Sequence, residues 1–112
     1  MSGITSHVLD TSRGRPAEGI AIRLERKAAD NVWQSIKEAV TDSDGRVPNM
    51  TDDSFVAGHY RISFLVDEYF QTQNVKSFYP IVNIEFTVDD ANQHYHVPLL
   101  LNPFGYSTYR GS

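Results

Sequence analysis

The chain has 112 residues, a length suited to one core, so a single domain over residues 1–112 is expected. Its 40% hydrophobic and 21% charged content is that of a folded globular chain and excludes a disordered one. A formal net charge of −4 with no run of Lys or Arg argues against nucleic acid and anionic membranes as partners, and the absence of cysteine removes disulfides, thiolate nucleophiles and zinc–sulfur sites.

In chain order, Met1-Ser2-Gly3-Ile4 lacks the basic and apolar regions of a secretory signal. Period-two alternation starts at once, and such alternation sends successive side chains to opposite faces of a sheet. From Ile4 to Leu9, residues Ile4, Ser6 and Val8 share one face, while Thr5, His7 and Leu9 look away from the presumed core. A turn at Ser12-Arg13-Gly14-Arg15-Pro16 leads to a strand over Ile20 to Lys27, with Ile20, Ile22 and Leu24 inward. Asp42-Ser43-Asp44-Gly45 is a second turn, and Arg46 follows it directly.

Tyr60, Ile62, Phe64 and Val66 form the next alternating face, with Arg61 and Ser63 opposite. Asp67 to Thr72 alternates poorly and predicts one short helix before the Tyr79-Pro80 break. Val82, Ile84, Phe86 and Val88 repeat the strand pattern up to Asp89-Asp90. His94 to Leu101 is apolar on both faces: Tyr95, Val97, Leu99 and Leu101 on one, His94, His96, Pro98 and Leu100 on the other. The turn Asn102-Pro103-Phe104-Gly105 then leads to a polar, aromatic end. Seven or eight short strands with turns between them predict an all-β, two-sheet antiparallel sandwich. No apolar run approaches membrane-spanning length, and Tyr109-Arg110-Gly111-Ser112 does not match the Ser-Lys-Leu peroxisomal address. A cytoplasmic location is the default, with a peroxisomal one open to a eukaryotic chain.

The reactive inventory is four histidines, carboxylates and hydroxyls. His7 and His96 stand out because both lie on faces that mix histidine with Leu9, Pro98 and Leu100, and such a face suits cover by a subunit or ligand. Taken singly, a strand histidine is most often a surface or hydrogen-bonded structural residue, and His59 beside Gly58 reads as solvated. His94 and His96, at i and i+2, could chelate a metal with His7 as third ligand, but no carboxylate lies nearby in sequence and no metal is expected. Arg46 alone reads as a hairpin charge. No nucleotide-binding glycine motif, G-x-S-x-G elbow or EF-hand loop is present.

Three segments carry a family resemblance that runs essentially from end to end. They are Ile4-Thr5-Ser6-His7-Val8-Leu9-Asp10-Thr11 with Gly14-Arg15-Pro16-Ala17, Asp42-Ser43-Asp44-Gly45-Arg46-Val47, and His94-Tyr95-His96-Val97-Pro98-Leu99-Leu100-Leu101 leading to Tyr106-Ser107-Thr108-Tyr109-Arg110-Gly111-Ser112. They resemble the 5-hydroxyisourate hydrolases, also called transthyretin-related proteins. Asn102 and Phe104 depart from the family's more frequent Ser and Tyr. Arg26-Lys27-Ala28-Ala29-Asp30 with Trp33 is similar to transthyretin itself, whose carriers lack the matches to His7, Arg46, His96 and the Tyr-Arg-Gly-Ser end.

The resemblance implies a transthyretin-like sandwich of about eight strands with one short helix, assembled as a homotetramer, a dimer of dimers with sites where the dimers meet. It implies cofactor-free hydrolysis of a ring amide of 5-hydroxyisourate to 2-oxo-4-hydroxy-4-carboxy-5-ureidoimidazoline, a step of urate degradation. His7 and His96 would orient and deprotonate water, Arg46 would clamp developing charge, Tyr109 would bind the planar substrate and Ser112 would complete the network. A non-catalytic, transthyretin-like binding protein is the alternative reading, and a metal-dependent hydrolase a third.

Overall fold

In the computed structural model, which describes residues 2–111, nine strands and one α-helix follow in chain order. They are β1 (Gly3–Asp10), β2 (Arg15–Pro16), β3 (Ala21–Lys27), β4 (Trp33–Val40), β5 (Arg46–Val47), β6 (Gly58–Leu65), α1 (Val66–Gln71), β7 (Val82–Val88), β8 (His94–Asn102) and β9 (Gly105–Thr108). One sheet runs β2-β1-β8-β9 with β5 also paired to β1, and the other runs β4-β3-β6-β7. Their apolar faces meet: Ile4, Val8, Val97 and Leu99 are buried against Ile22, Leu24, Ile62 and Phe64. Removing such surface from water, at roughly 25 cal/mol per Å², is what holds two alternating sheets together.

The all-β sandwich with a short helix is thus the observed fold, and the inward faces of β1, β3, β6, β7 and β8 are those the alternation indicates. Four details differ from the sequence reading. β1 and β8 pair in parallel over the whole of β1, from Gly3↔His94 to Asp10↔Leu101, so the first sheet is mixed rather than antiparallel. Alternation is the same in both senses, and no hairpin joins these strands to fix one. β4 was not singled out because it is a solvent-facing edge strand, with Ile36 and Val40 exposed and no face fully buried. β2 and β5, two residues each, are too short to show a period. Val66 is buried as the pattern requires, but as the first residue of α1. No helix among the described residues is long and apolar enough to cross a membrane.

Between the layers, Asp10 is buried and fully engaged. Its Oδ1 accepts from Ser12 N–H (3.0 Å), Ser12 Oγ (2.6 Å) and Arg13 N–H (3.1 Å), and its Oδ2 accepts from Tyr69 Oη on α1 (2.7 Å). This ties the end of β1 to the helix between β6 and β7 of the other sheet. Tyr69→Phe should therefore leave a buried carboxylate oxygen short of a donor and destabilise by about 1–3 kcal/mol. A urea midpoint unchanged at fixed protein concentration would show that this bond carries no weight.

Candidate active site

The loop between β4 and β5 closes on itself. Asp42 Oδ1 accepts from the backbone N–H of Asp44 (2.8 Å) and of Arg46 (3.0 Å), and Asp42 N–H donates to the Arg46 carbonyl (3.0 Å). Gly45 lies against β1, where its carbonyl accepts from Val8 N–H at 2.7 Å. A Cβ there would meet the Val8 carbonyl oxygen at 2.3 Å, and φ is +73°, so glycine is required twice over. Arg46 is thereby set opposite His7 in the β1–β5 ladder. The same loop turns the Asp44 carbonyl onto His7 Nε2 at 2.9 Å. A carbonyl only accepts, so Nε2 carries the proton and neutral His7 keeps its lone pair on Nδ1.

Across the other edge of β1, Thr5 stands opposite His96 and His7 opposite Pro98. Ile4, Ser6, Val8, Tyr95, Val97 and Leu99 are buried between the sheets, which leaves Thr5, His7, His94 and His96 on the outer face. Thr5 Oγ1 lies 2.8 Å from His94 Nε2 and 2.9 Å from His96 Nδ1, and the two imidazoles stack with centroids 6.3 Å apart. The chain end returns along β8: Gly111 N–H donates to the His96 carbonyl at 2.8 Å. A Cβ on Gly111 would lie 2.7 Å from His96 Cδ2, so glycine is what lets the tail approach the ring.

The electrostatics follow from the same packing. Partial burial is the first cause that lowers the pKa of His96, and the charges of His7, His94 and Arg46 lower it further. All three groups are basic and Arg46 keeps its charge, so this face favours an anion in a chain of net charge −4.

Of the residues singled out in the sequence, His7, Arg46 and His96 thus come together on one face. Tyr109 is 59% exposed and lines a cavity of about 240 Å³ with Phe86 and Thr87 of β7, Tyr95 and Arg110, away from the outer face. Ser112 lies outside the described residues. His59 is on the other sheet, hydrogen-bonded to Glu85 at 2.7 Å and edge-on to Trp33. His94 shares Thr5 with His96, and no group of three or more His, Cys, Asp or Glu suited to a metal occurs among the described residues. Thr5, Gly111 and the Asp44 carbonyl were not anticipated. The only sequence signal for Thr5 is its position two residues before His7, on the same face.

A family profile described as the HIUase/Transthyretin family matches residues 4–111. The chain belongs to the HIUase/Transthyretin family. It is 45% identical to a probable 5-hydroxyisourate hydrolase of Caenorhabditis elegans over 99% of this chain and 82% of that one. Among solved structures it is similar to the 5-hydroxyisourate hydrolase of Klebsiella pneumoniae, at 32% identity, TM-score 0.88 and full coverage of both chains. Transthyretin from Sparus aurata is similar too, at 31% identity and TM-score 0.93 over 99% of this chain and 97% of that one. An (S)-allantoin synthase matches with 36% identity and TM-score 0.90 over 98% of this chain, which spans 43% of the synthase. Within the HIUase/Transthyretin family, backbone likeness does not separate catalyst from carrier, and the side chains of the outer face must.

Two outcomes are expected from this geometry. His96 should titrate below the ordinary histidine value of about 6.5 by NMR. Arg46→Gln should raise that value by removing a repelling charge, and titration at or above the ordinary value in the parent chain would contradict the arrangement. Because the folded pKa is depressed, the folded chain binds fewer protons at His96 than the unfolded one. Stability should accordingly fall as pH drops from the unfolded value toward the folded one. Gly111→Ala should shift the His96 Cδ2 resonance while the amide spectrum of the sandwich is kept, and an unmoved resonance would mean that the tail does not bear on the ring.

Proposed function

We propose that this chain hydrolyses 5-hydroxyisourate to 2-oxo-4-hydroxy-4-carboxy-5-ureidoimidazoline, a step in the degradation of urate. The observation that carries the proposal is the union of two histidines and an arginine on one sheet face in a member of this family. A ligand carrier has no need of proton-transfer groups beside a fixed cation. The reaction breaks a ring C–N bond with water: oxygen attacks the carbonyl carbon, a base takes the water proton, and the leaving nitrogen receives a proton.

His7 Nδ1 and His96 Nε2 are the atoms suited to this exchange, since Nε2 of His7 and Nδ1 of His96 are engaged by Asp44 and Thr5. The lowered pKa of His96 keeps it neutral, and hence able to accept a proton, near neutral pH. Arg46 stays charged and offers a planar fork to the anionic substrate or to the oxyanion that forms on attack. Tyr109 and Ser112 complete the proposed set as substrate and water contacts of the tail; support comes from Gly111, which lies between them and is bonded to His96. No cofactor takes part in this reading.

Assembly as a homotetramer, a dimer of dimers with sites at the dimer–dimer interface, belongs to the same proposal. It is supported by Leu9, Pro98 and Leu100 beside the histidines and by exposed aromatic residues at Phe78, Phe104 and Tyr106. A cytoplasmic location accompanies it.

The test follows the ultraviolet absorbance of 5-hydroxyisourate freshly made from urate by uricase, with and without the chain and with EDTA present. Decay well above the spontaneous rate and indifferent to chelator is expected; no acceleration would leave a ligand carrier, and loss with EDTA a metallohydrolase. His7→Ala, Arg46→Ala and His96→Ala should each lose about a hundredfold or more in rate. Gel filtration should show the assembly unchanged, and variants that dissociate instead would indicate a structural role for the residue.

A further inference from the structure

The Thr5 hydroxyl sits between two imidazole nitrogens, 2.8 Å from His94 Nε2 and 2.9 Å from His96 Nδ1. A hydroxyl has one proton to donate, so it donates to at most one of the two rings, and the other ring must carry a proton on the nitrogen that faces it. The tautomers of the two histidines are therefore linked. When Thr5 donates to His94, His96 carries its proton on Nδ1 and presents a bare Nε2. When Thr5 donates to His96, His96 carries its proton on Nε2 and presents a donor.

We propose that Thr5 and His94 are positioning residues that set and reset the tautomer of His96, so that one nitrogen serves first as base and then as acid. The proposal rests on the role of His96 in the hydrolysis above. The proton count closes. His96 Nε2 takes the water proton; its Nδ1 proton passes to Thr5 Oγ1, whose own proton passes to His94 Nε2. His94 is then the imidazolium and His96 is neutral with a proton on Nε2, poised to protonate the leaving nitrogen. When Nε2 gives that proton up, His94 returns its proton through Thr5 and the starting state is restored.

Three features favour this use over simple packing. The hydroxyl is held by the β1–β8 ladder, which sets Thr5 opposite His96. Gly111 closes on the ring at Cδ2, so His96 cannot easily turn away from Thr5. Among the described residues, the charged and titratable groups around the relay are His7 on β1, Arg46 on β5, His94 on β8, and Arg110 of the tail, which donates to Gln93 Oε1 at 3.0 Å and to the His94 carbonyl at 3.4 Å. Partial burial first, and then His7, His94 and Arg46, disfavour a charge on His96, so moving the proton outward through Thr5 keeps that ring neutral.

The experiment combines kinetics on the full chain with ¹⁵N NMR of its histidine rings. Thr5→Val removes the hydroxyl at constant shape and should lower kcat about tenfold or more, as loss of an oriented partner of an acid–base group does, with KM little changed. Thr5→Ser should recover most of that loss. His94→Asn keeps a hydrogen-bond partner for Thr5 but cannot take a proton, so it should match Thr5→Val, and the double variant should be no worse than either. In the parent chain the ring ¹⁵N shifts should show complementary tautomers of His94 and His96 at Thr5, and in Thr5→Val the two tautomers should be unlinked. Additive losses, wild-type kcat in Thr5→Val, or unlinked tautomers in the parent chain would each overturn the relay. Should Thr5→Val not fold, the spectra of the parent and of His94→Asn decide the question. Linked tautomers in a parent chain without turnover would sink the hydrolase reading and leave the link standing.

Discussion

The parallel pairing of β1 with β8 is the constraint on which the candidate site depends. β1 has partners along both edges: β8 on one, β5 and β2 on the other. Any residue on its outer face is thereby flanked from two directions, and His7 lies between Pro98 and Arg46. A slip of one residue in either ladder would turn every side chain to the opposite face. What prevents the slip is the burial of Ile4 and Val8 on the reverse side of the same strand. The core that stabilises the sandwich thus also fixes the relative positions of Thr5, His7, Arg46 and His96. Site geometry and stability are two consequences of one register.

Local chemistry then decides what each group can do. The two histidines have the same side chain but are presented by different atoms, His7 through Nδ1 and His96 through Nε2, because a backbone carbonyl occupies one and a hydroxyl the other. The Asp44 carbonyl allows a single arrangement of protons; the Thr5 hydroxyl allows two. A fixed base next to a reversible one suits a reaction in which a proton is first taken and later returned. Arg46 differs from both in keeping its charge at any working pH. The sandwich positions these groups but does not by itself supply them, since this chain shares it with Sparus aurata transthyretin at a TM-score of 0.93.

Much of the fold was legible because burial imposes a period. β3, β6, β7 and β8 each hide one face completely enough for alternation to mark it, and Asp42 to Gly45 carries turn chemistry that needs no tertiary context. β4 escaped because it has no buried face to generate a pattern. The sense of the β1–β8 pairing escaped because it depends on strands some ninety positions apart, as in Ser6 Oγ bonded to the Val97 carbonyl, and alternation carries no direction. His7, His96 and Arg46, which the fold sets on one face, were singled out through outward histidines on apolar faces and a family resemblance. Thr5 was not, since a threonine on a strand is unremarkable until a residue ninety-one positions away supplies His96 Nδ1. Tyr109 is a substrate contact by resemblance alone, and in the single chain it borders β7.

The outer face bears on assembly as well as chemistry. Leu9 and Leu100 are partly exposed next to His7 and His96, and a sheet face of that composition left in water keeps apolar area hydrated and screens Arg46 with solvent. Covering it with a second copy of the same face removes apolar surface, and the proposed dimer–dimer stacking would do so by symmetry. The same cover lowers the local dielectric, which strengthens the attraction of Arg46 for an anion and further disfavours a charged His96. In that arrangement the energy that joins the dimers and the electrostatics that favour the reaction have one source, the exclusion of water from the face of β1, β5 and β8. A carrier built on this fold also gains from such exclusion, but only a face that holds exchangeable protons can turn it into bond breaking.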